Sequence, residues 1–152
     1  MAPDGERSMK KEPNYPKRKI SWKQISIQVE QLSRWAKPFQ FQGIAAISRG
    51  GLIPGVMLSH CLDLPMDVIV AKRYNTGRLY VGRYRPKWLR TLIVDDIVDE
   101  GFTMRKVKSM FKGEHIGLTA SLFYDPSSIY VPDYLGLKVH SKEWLIFPWE
   151  EL

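Results

Sequence analysis

The chain has 152 residues, a formal net charge of +7 and a single cysteine. This length fits one domain with a sizeable core, and a lone cysteine excludes an intrachain disulfide framework. No run approaches the roughly 20 apolar residues that span a bilayer, and the N-terminal segment lacks the apolar core of a signal peptide, so we expect a cytoplasmic protein without a membrane partner.

The first half of the chain predicts a tail, two helices and one strand. Residues 1–19 mix Pro, Lys, Arg and Gly without periodicity, which is typical of a disordered tail before a single domain over residues 20–152. Ser21 is a candidate N-cap, and apolar residues at helical spacing predict a helix that stops at Pro38. Residues 43–48 predict a buried strand, and a glycine turn then leads into a helix over residues 52–62.

The second half alternates strands with one further helix. We predict one helix, over residues 103–111. We predict strands over residues 65–71, 91–95, 115–124 and 143–147. Apolar strands without clean alternation, separated by helices, favour an α/β fold with a mostly parallel sheet flanked by helices. In such folds ligands bind at the carboxyl ends of the strands.

The positive charge is concentrated in residues 72–90, the basic segment, which contains seven Lys and Arg residues and no acid. Such a segment could be a nucleic-acid surface, a solvated loop or a clamp for a small, highly charged anion. Its aromatic residues Tyr74, Tyr80, Tyr84 and Trp88 would also suit stacking on single-stranded bases.

The motif with the clearest chemistry is LIVDDIVDEGFTM, residues 92–104. Asp95 and Asp96 follow an apolar strand, where adjacent carboxylates can accept hydrogen bonds from vicinal sugar hydroxyls and attract Mg²⁺. The glycine loop from Asp99 to Thr103 opens a helix, and its free backbone N–H groups suit a phosphate. The motif predicts a ribose-phosphate site; the alternative is an ordinary strand followed by a loop in which Asp99 caps the helix.

These residues resemble the 5-phosphoribosyl-1-pyrophosphate motif of type I phosphoribosyltransferases, in which Asp-Thr-Gly-x-Thr follows the acid pair. Glu100 stands in the first Thr position. The resemblance implies that Asp95 and Asp96 hold the ribose and the metal, and that Asp99 is also the catalytic acid or base near N7 of the nucleobase. It implies a 5′-phosphate site made of Asp99, Glu100, Gly101, Phe102 and Thr103.

A second segment, AAISRGGLIPG at 45–55, resembles the pyrophosphate loop of bacterial xanthine-guanine and archaeal hypoxanthine or guanine enzymes. Its glycines would let the backbone approach an anion closely. Without the neighbouring motifs, however, the sequence Ser-Arg-Gly-Gly is typical of an ordinary turn. The basic segment takes the place of the flexible loop that closes over pyrophosphate in this family. The implied pyrophosphate ligands are Ser48, Arg49, Gly50, Gly51, Lys72, Arg73 and Arg78.

The acceptor side rests on two further segments. KEWLIFPWEE, 142–151, resembles the base-binding end of the purine enzymes, which implies that Trp144 stacks on the base and that the Leu145 backbone contacts its edge; otherwise Trp144 is a core residue. In SLFYDPSS, 121–128, Asp125 stands where these enzymes have a Lys that donates to O6 of a 6-oxopurine. A carboxylate suits an amino group better, or Asp125 only caps the turn at Pro126, so the base stays open.

Taken together, the resemblance implies a Mg²⁺-dependent purine phosphoribosyltransferase of purine salvage, with a small hood from the C-terminal or N-terminal segment. Family members usually form homodimers or tetramers, and no nucleic-acid partner is expected. The rival hypothesis is a regulatory or RNA-binding protein that keeps the pocket as a sensor. A phosphatase-type nucleophile is disfavoured because Asp95 and Asp96 are adjacent, and the histidines show no metal-ligand spacing.

Overall fold

The structure is a computed structural model that describes residues 14–140 and 143–151. Within these ranges there are three α-helices, α1 Trp22–Ala36, α2 Leu52–Leu62 and α3 Phe102–Lys108, and two short 3₁₀ turns at Lys37–Phe39 and Pro148–Glu150. The strands are β1 Lys17–Lys19, β2 Gly43–Ser48, β3 Met66–Arg73, β4 Leu79–Val81, β5 Arg90–Val98, β6 Ile116–Tyr124, β7 Tyr134–Lys138 and β8 Trp144–Ile146.

The central sheet has six strands in the order β4-β3-β2-β5-β6-β7. All neighbours in it are parallel except β3 and β4, which form an antiparallel hairpin. Because β2 and β5 lie in the middle and are covered on both faces, their residues form continuous apolar runs without alternation. The predicted mostly parallel α/β fold is confirmed.

Helices cover both faces of this sheet. On one face, Ile25 and Leu32 of α1 and Leu58 of α2 pack on Ile44 and Leu92. On the other face, Met104 and Val107 of α3 pack against Ala45, Ile47 and Ile93. None of the helices in the described ranges is long and apolar enough to cross a membrane.

The start of α1 follows the sequence prediction. The Gln24 backbone N–H donates to Ser21 Oγ at 3.1 Å, and the Ser21 N–H donates to Gln24 Oε1 at 2.9 Å. This reciprocal pair satisfies two N–H groups that the first helical turn would otherwise leave without partners. The helix ends at Ala36 and continues as the 3₁₀ turn that contains Pro38.

A second, two-stranded sheet joins the two ends of the chain. Strand β1 pairs in parallel with β8, so that Lys17 lies opposite Trp144, and the Ile20 N–H donates to Ile146 O at 2.8 Å. The tail prediction is therefore wrong for residues 17–19, because three basic residues show no strand pattern and β8 supplies the pairing; residues 1–13 lie outside the described residues. We call β1, β8 and the turn Pro148–Glu150 the hood.

Candidate functional site

The carboxyl ends of β2, β3 and β5 open into a cavity of about 760 Å³, the large cavity. A small cavity of about 100 Å³ adjoins it, and the two share Arg73, Asp95, Ile97 and Thr103. The large cavity is also lined by Ile47, Ser48, Arg49, Gly50, Leu52, Ile53, Ala71, Lys72, Asp96, Trp149 and Glu150. The small cavity is completed by Val98, Asp99, Glu100, Gly101 and Met104.

Asp95 and Asp96 place two carboxyl groups at the end of β5. The Asp96 N–H donates to Asp95 Oδ1 at 2.8 Å, and the Ile97 N–H donates to Asp96 Oδ1 at 2.7 Å. Burial raises the pKa of both carboxyl groups, and the charge of Asp96 adds to the rise at Asp95, whose pKa lies well above its ordinary value. Asp96 is buried and Asp95 is half-buried, and two like charges so close together are costly, so this site would gain from a bound cation.

The glycine turn after β2 approaches β5 more closely than a side chain would allow. A Cβ on Gly50 would overlap the Asp96 carboxylate, and a Cβ on Gly51 would meet Val94 O at 2.5 Å. The peptide between Ser48 and Arg49 is cis. Ser48, Arg49 and Gly50 line the large cavity, while Gly51 is buried at the start of α2.

The basic segment divides between two places. Lys72 and Arg73, at the end of β3, line the large cavity, but Arg78 lines a separate cavity of about 310 Å³ with Tyr74 and Tyr80. The cause is the β3–β4 hairpin, which turns the chain back and is closed by the Tyr74 N–H donating to Arg78 O at 2.9 Å. The structure therefore does not bring Arg78 to the other predicted pyrophosphate ligands.

The phosphate loop, Asp99–Thr103, forms one wall of the small cavity. Gly101 has φ 92° and its Cβ position would lie 2.8 Å from Tyr130 N, so a side chain there would be strained and crowded. Of the predicted 5′-phosphate residues, Asp99, Glu100, Gly101 and Thr103 line the small cavity. The Phe102 side chain does not; it is exposed, and its ring lies beside the guanidinium groups of Arg73 and Arg105.

Asp125 lies outside both cavities, and its carboxylate is engaged in a local turn. Asp125 Oδ1 accepts hydrogen bonds from the N–H and the hydroxyl of Ser127, both at 2.8 Å. This is the turn-capping interpretation of Asp125. The Asp125 backbone N–H donates to Val98 O at 2.8 Å, which places this residue beside Asp99 in the fold, although it lines neither cavity.

The hood supplies two cavity residues that the sequence prediction missed. Trp149 and Glu150 line the large cavity, whereas Trp144 and Leu145 in β8 do not. The Trp149 ring stacks on Phe147 with centroids 4.9 Å apart, and Trp22 of α1 packs on it at 6.1 Å. The aromatic PWEE ending of the base-binding segment is the signal that could have identified Trp149.

Across residues 14–140 and 143–151, no cluster of three or more His, Cys, Asp or Glu side chains could hold a metal ion. Mg²⁺ is nevertheless commonly bound by one or two carboxylates together with substrate phosphates and water. The two oxygen-bearing side chains of Asp95 and Asp96 fit that pattern. They could hold Mg²⁺ jointly with a substrate.

Comparison with known proteins extends over nearly the whole described chain. The family model for the phosphoribosyl transferase domain matches residues 21–151. The xanthine-guanine phosphoribosyltransferase of Chromohalobacter salexigens is 32% identical over 136 residues, covering 86% of this chain and 82% of that protein. The enzyme of the same name from Nitratidesulfovibrio vulgaris is 29% identical over 141 residues, covering 86% and 83%.

Solved structures show the same similarity. The purine phosphoribosyltransferase from Pyrococcus horikoshii has a TM-score of 0.76 and 32% identity, covering 90% of this chain and 95% of that one. The Helicobacter pylori xanthine-guanine-hypoxanthine phosphoribosyltransferase also has a TM-score of 0.76, with 23% identity and coverage of 88% and 94%, and shares the fold.

Proposed function

Because the chain belongs to the phosphoribosyltransferase family, we propose that it transfers the phosphoribosyl group of 5-phosphoribosyl-1-pyrophosphate to a purine base. The products are a nucleoside 5′-monophosphate and pyrophosphate, which is a purine salvage reaction. The observation that carries this proposal is the meeting of the acid pair, the glycine turn and the phosphate loop around two adjoining cavities.

The donor substrate spans both cavities in this proposal. The phosphate loop would bind the 5′-phosphate in the small cavity, where Thr103 can donate a hydroxyl and the backbone N–H groups of the loop can donate as well. Asp95, which lines both cavities, and Asp96, which lines the large one, would accept hydrogen bonds from the ribose hydroxyls. Arg49 and Lys72 would bind the pyrophosphate in the large cavity.

In the transfer step the bond between C1 of the ribose and the pyrophosphate oxygen breaks, and a bond from C1 to a ring nitrogen of the base forms. Negative charge grows on the leaving pyrophosphate, so the cations that line the large cavity stabilise the transition state more than the ground state. Mg²⁺, when held by Asp95 and Asp96, would neutralise part of the same charge.

Asp99 is the proposed catalytic acid or base. It lines the small cavity, and the family resemblance implies that it lies near N7 of the purine. A carboxylate there could hold the proton that the base exchanges as its ring nitrogen forms the new bond.

The base would bind between the large cavity and the hood. Trp144 is the proposed stacking residue and Leu145 the proposed backbone contact, as the resemblance implies, while Trp149 and Glu150 form the adjoining wall. The names of the relatives favour a 6-oxopurine such as hypoxanthine, guanine or xanthine. An amino-bearing base is the alternative, and the engagement of Asp125 with Ser127 weakens it.

We also propose that the protein forms a homodimer through α2 and β3, or a tetramer built from two such dimers. Helix α2 has no Asp, Glu, Lys or Arg, yet only Pro54, Gly55 and Leu58 of its 11 residues are buried. Val56 on this helix and Val68 and Val70 on β3 are all exposed. A helix that is apolar on all sides is normally covered, so a second copy is the proposed occupant. Light scattering should show a dimer that Val56→Glu converts to a monomer; a monomeric wild-type protein would contradict it.

A nucleobase screen tests the main proposal. The full chain is incubated with 5-phosphoribosyl-1-pyrophosphate, Mg²⁺ and hypoxanthine, guanine, xanthine or adenine, and pyrophosphate release is measured. We expect release with at least one 6-oxopurine and little with adenine. No release with any base, together with salt-dependent binding of RNA, would favour the regulatory or RNA-binding alternative instead.

A further inference from the structure

Arg73 occupies the boundary between the two cavities. It is the last residue of β3 and lines both the large and the small cavity. Its neighbour Lys72 lines the large cavity but not the small cavity. Arg73 can therefore contact an anion bound in the small cavity. A role in pyrophosphate binding alone would not account for this position.

Two contacts hold the guanidinium group of Arg73 there. Arg73 Nη2 lies 2.8 Å from Glu100 Oε2, and Arg73 Cζ lies 5.4 Å from the centroid of the Phe102 ring. The pair is shielded mainly on the Arg73 side, since the Arg73 side chain is 28% exposed and the Glu100 side chain 42%. A long, flexible side chain is thus fixed between a carboxylate and an aromatic face, both from the phosphate loop.

Glu100 is also the position at which the chain departs from the family motif, which has a Thr there. A carboxylate beside a bound phosphate is repulsive unless a cation offsets it. We propose that Glu100 is a positioning residue that holds Arg73 at the small cavity, where Arg73 binds the 5′-phosphate of the substrate. This inference rests on the proposed function and adds a residue from β3 to the phosphate site.

The chemistry of the guanidinium group allows both contacts together. An Arg side chain has five N–H donors in a planar fork, so it can keep Glu100 on one edge and donate to a phosphate from another. A Lys would offer a single charged nitrogen and lose this geometry. Arg73→Lys is therefore expected to restore little of what Arg73→Ala removes.

Equilibrium binding of two probes, guanosine 5′-monophosphate and inorganic pyrophosphate with Mg²⁺, separates the two anion sites. We expect Arg73→Ala to weaken binding of the monophosphate about tenfold or more, as for loss of a charge-assisted hydrogen bond, and to change pyrophosphate binding much less. Lys72→Ala should show the opposite pattern. Arg105→Ala is the matched control, because Arg105 stacks on the same Phe102 ring at 5.6 Å but lines neither cavity.

The effect of Glu100→Gln on monophosphate affinity should have opposite signs in the presence and in the absence of Arg73. A merely structural role of Glu100 would not produce this reversal. In the wild-type background it should weaken monophosphate binding several-fold, since Arg73 loses its anchor. In the Arg73→Ala background the same substitution should tighten binding, because Arg73 no longer offsets the repulsion between the Glu100 carboxylate and the phosphate.

Two outcomes would overturn the proposal in distinguishable ways. If Glu100→Gln already tightens monophosphate binding when Arg73 is present, Glu100 is only a repelling charge and its positioning role is wrong, while the proposed function stands. If the wild-type protein binds neither the monophosphate nor 5-phosphoribosyl-1-pyrophosphate and shows no turnover, the proposed function fails and this inference fails with it.

Discussion

The donor side of the site and the hood are built in different ways. On the donor side, Ser48 to Gly51 begin at the last residue of β2, and Asp95 to Thr103 run from the final residues of β5 into the first residues of α3. The hood instead forms from β1 and β8, which lie far apart in the sequence and pair in parallel. The comparison indicates that the donor side is specified by local sequence and the hood by long-range contacts.

The two regions also differ electrostatically. The donor side contains an acid pair with raised pKa values that lines the same cavity as the cationic groups of Arg49 and Lys72. The hood contributes one aromatic ring and one acid to the cavity, Trp149 and Glu150, and Trp149 is stacked on Phe147 and in tilted contact with Trp22. We therefore expect substitutions on the donor side to act on charge stabilisation and substitutions in the hood to act on base binding.

The largest expected effect is on the donor side. Replacing both Asp95 and Asp96 with Asn should lower the transfer rate by about a thousandfold or more, because the ribose and Mg²⁺ lose their charged ligands. The measurement is pyrophosphate release at saturating base. Asp63→Asn is the matched control, since Asp63 is exposed at the end of α2 with φ 51°, which Asn also tolerates.

The same double variant should be more stable than the wild-type protein at neutral pH. Because the folded-state pKa values of Asp95 and Asp96 lie above the ordinary value of 3.8, the wild-type protein loses stability as pH rises from 3.8 through the raised values. The measurement is the Tm of both proteins as a function of pH, with EDTA present. The Tm of the variant should equal that of the wild-type protein in acid and exceed it by a growing amount as pH rises. A lower Tm for the variant at neutral pH would contradict the account.

A smaller loss is expected from Gly50→Ala, which tests the close approach of the glycine turn to β5. The new methyl group would overlap the Asp96 carboxylate and displace it. We expect kcat/KM to fall by about a hundredfold, as for a displacement of about 1 Å in a reacting group. Gly82→Ala is the control, since its Cβ would lie at an ordinary 3.5 Å from Val70 O; equal effects of the two substitutions would argue against the site geometry.

The hood should respond differently at its two tryptophans. The Trp144 ring is half-buried and has no ring partner within the part of the chain that the structure describes, so it is free to stack on a base. Trp144→Leu should raise the KM for the base about tenfold and leave the KM for 5-phosphoribosyl-1-pyrophosphate unchanged. Trp149→Leu, which removes the stack on Phe147, should mainly lower the Tm; the reverse pattern would identify Trp149 as the base contact.

These residues also show how far the sequence could be interpreted. Some features could be predicted because a strand, its carboxyl end and the next turn are contiguous in the sequence. These are the strand over residues 43–48, the helix over 52–62 and the position of the acid pair near the end of a strand. Strand β1 was not predictable, because its three basic residues are ordered by β8 and by ion pairs such as Lys19 with Glu151. The position of Arg78 is set by the β3–β4 hairpin. This hairpin was not predicted, because the many basic residues of the segment led to its interpretation as a single loop.

The smallest expected effect is at Asp125. Because its carboxylate accepts two hydrogen bonds from Ser127, Asp125→Ala should cost about 1 kcal/mol of unfolding free energy, measured in urea. Asp125→Lys should leave the ratio of rates with guanine and adenine unchanged. Ser127→Ala, which removes one of the two donors, is the stability control. A marked shift in base preference on Asp125→Lys would show that this position contacts the base.

The most direct test of the central claim is calorimetric titration of 5-phosphoribosyl-1-pyrophosphate into the wild-type protein without any base. If the donor is bound at the carboxyl ends of β2 and β5, binding should be saturable, should require Mg²⁺, and should weaken about a hundredfold or more when Asp95 and Asp96 are both Asn. Equal affinity in the wild-type protein and this variant, or no dependence on Mg²⁺, would contradict the account.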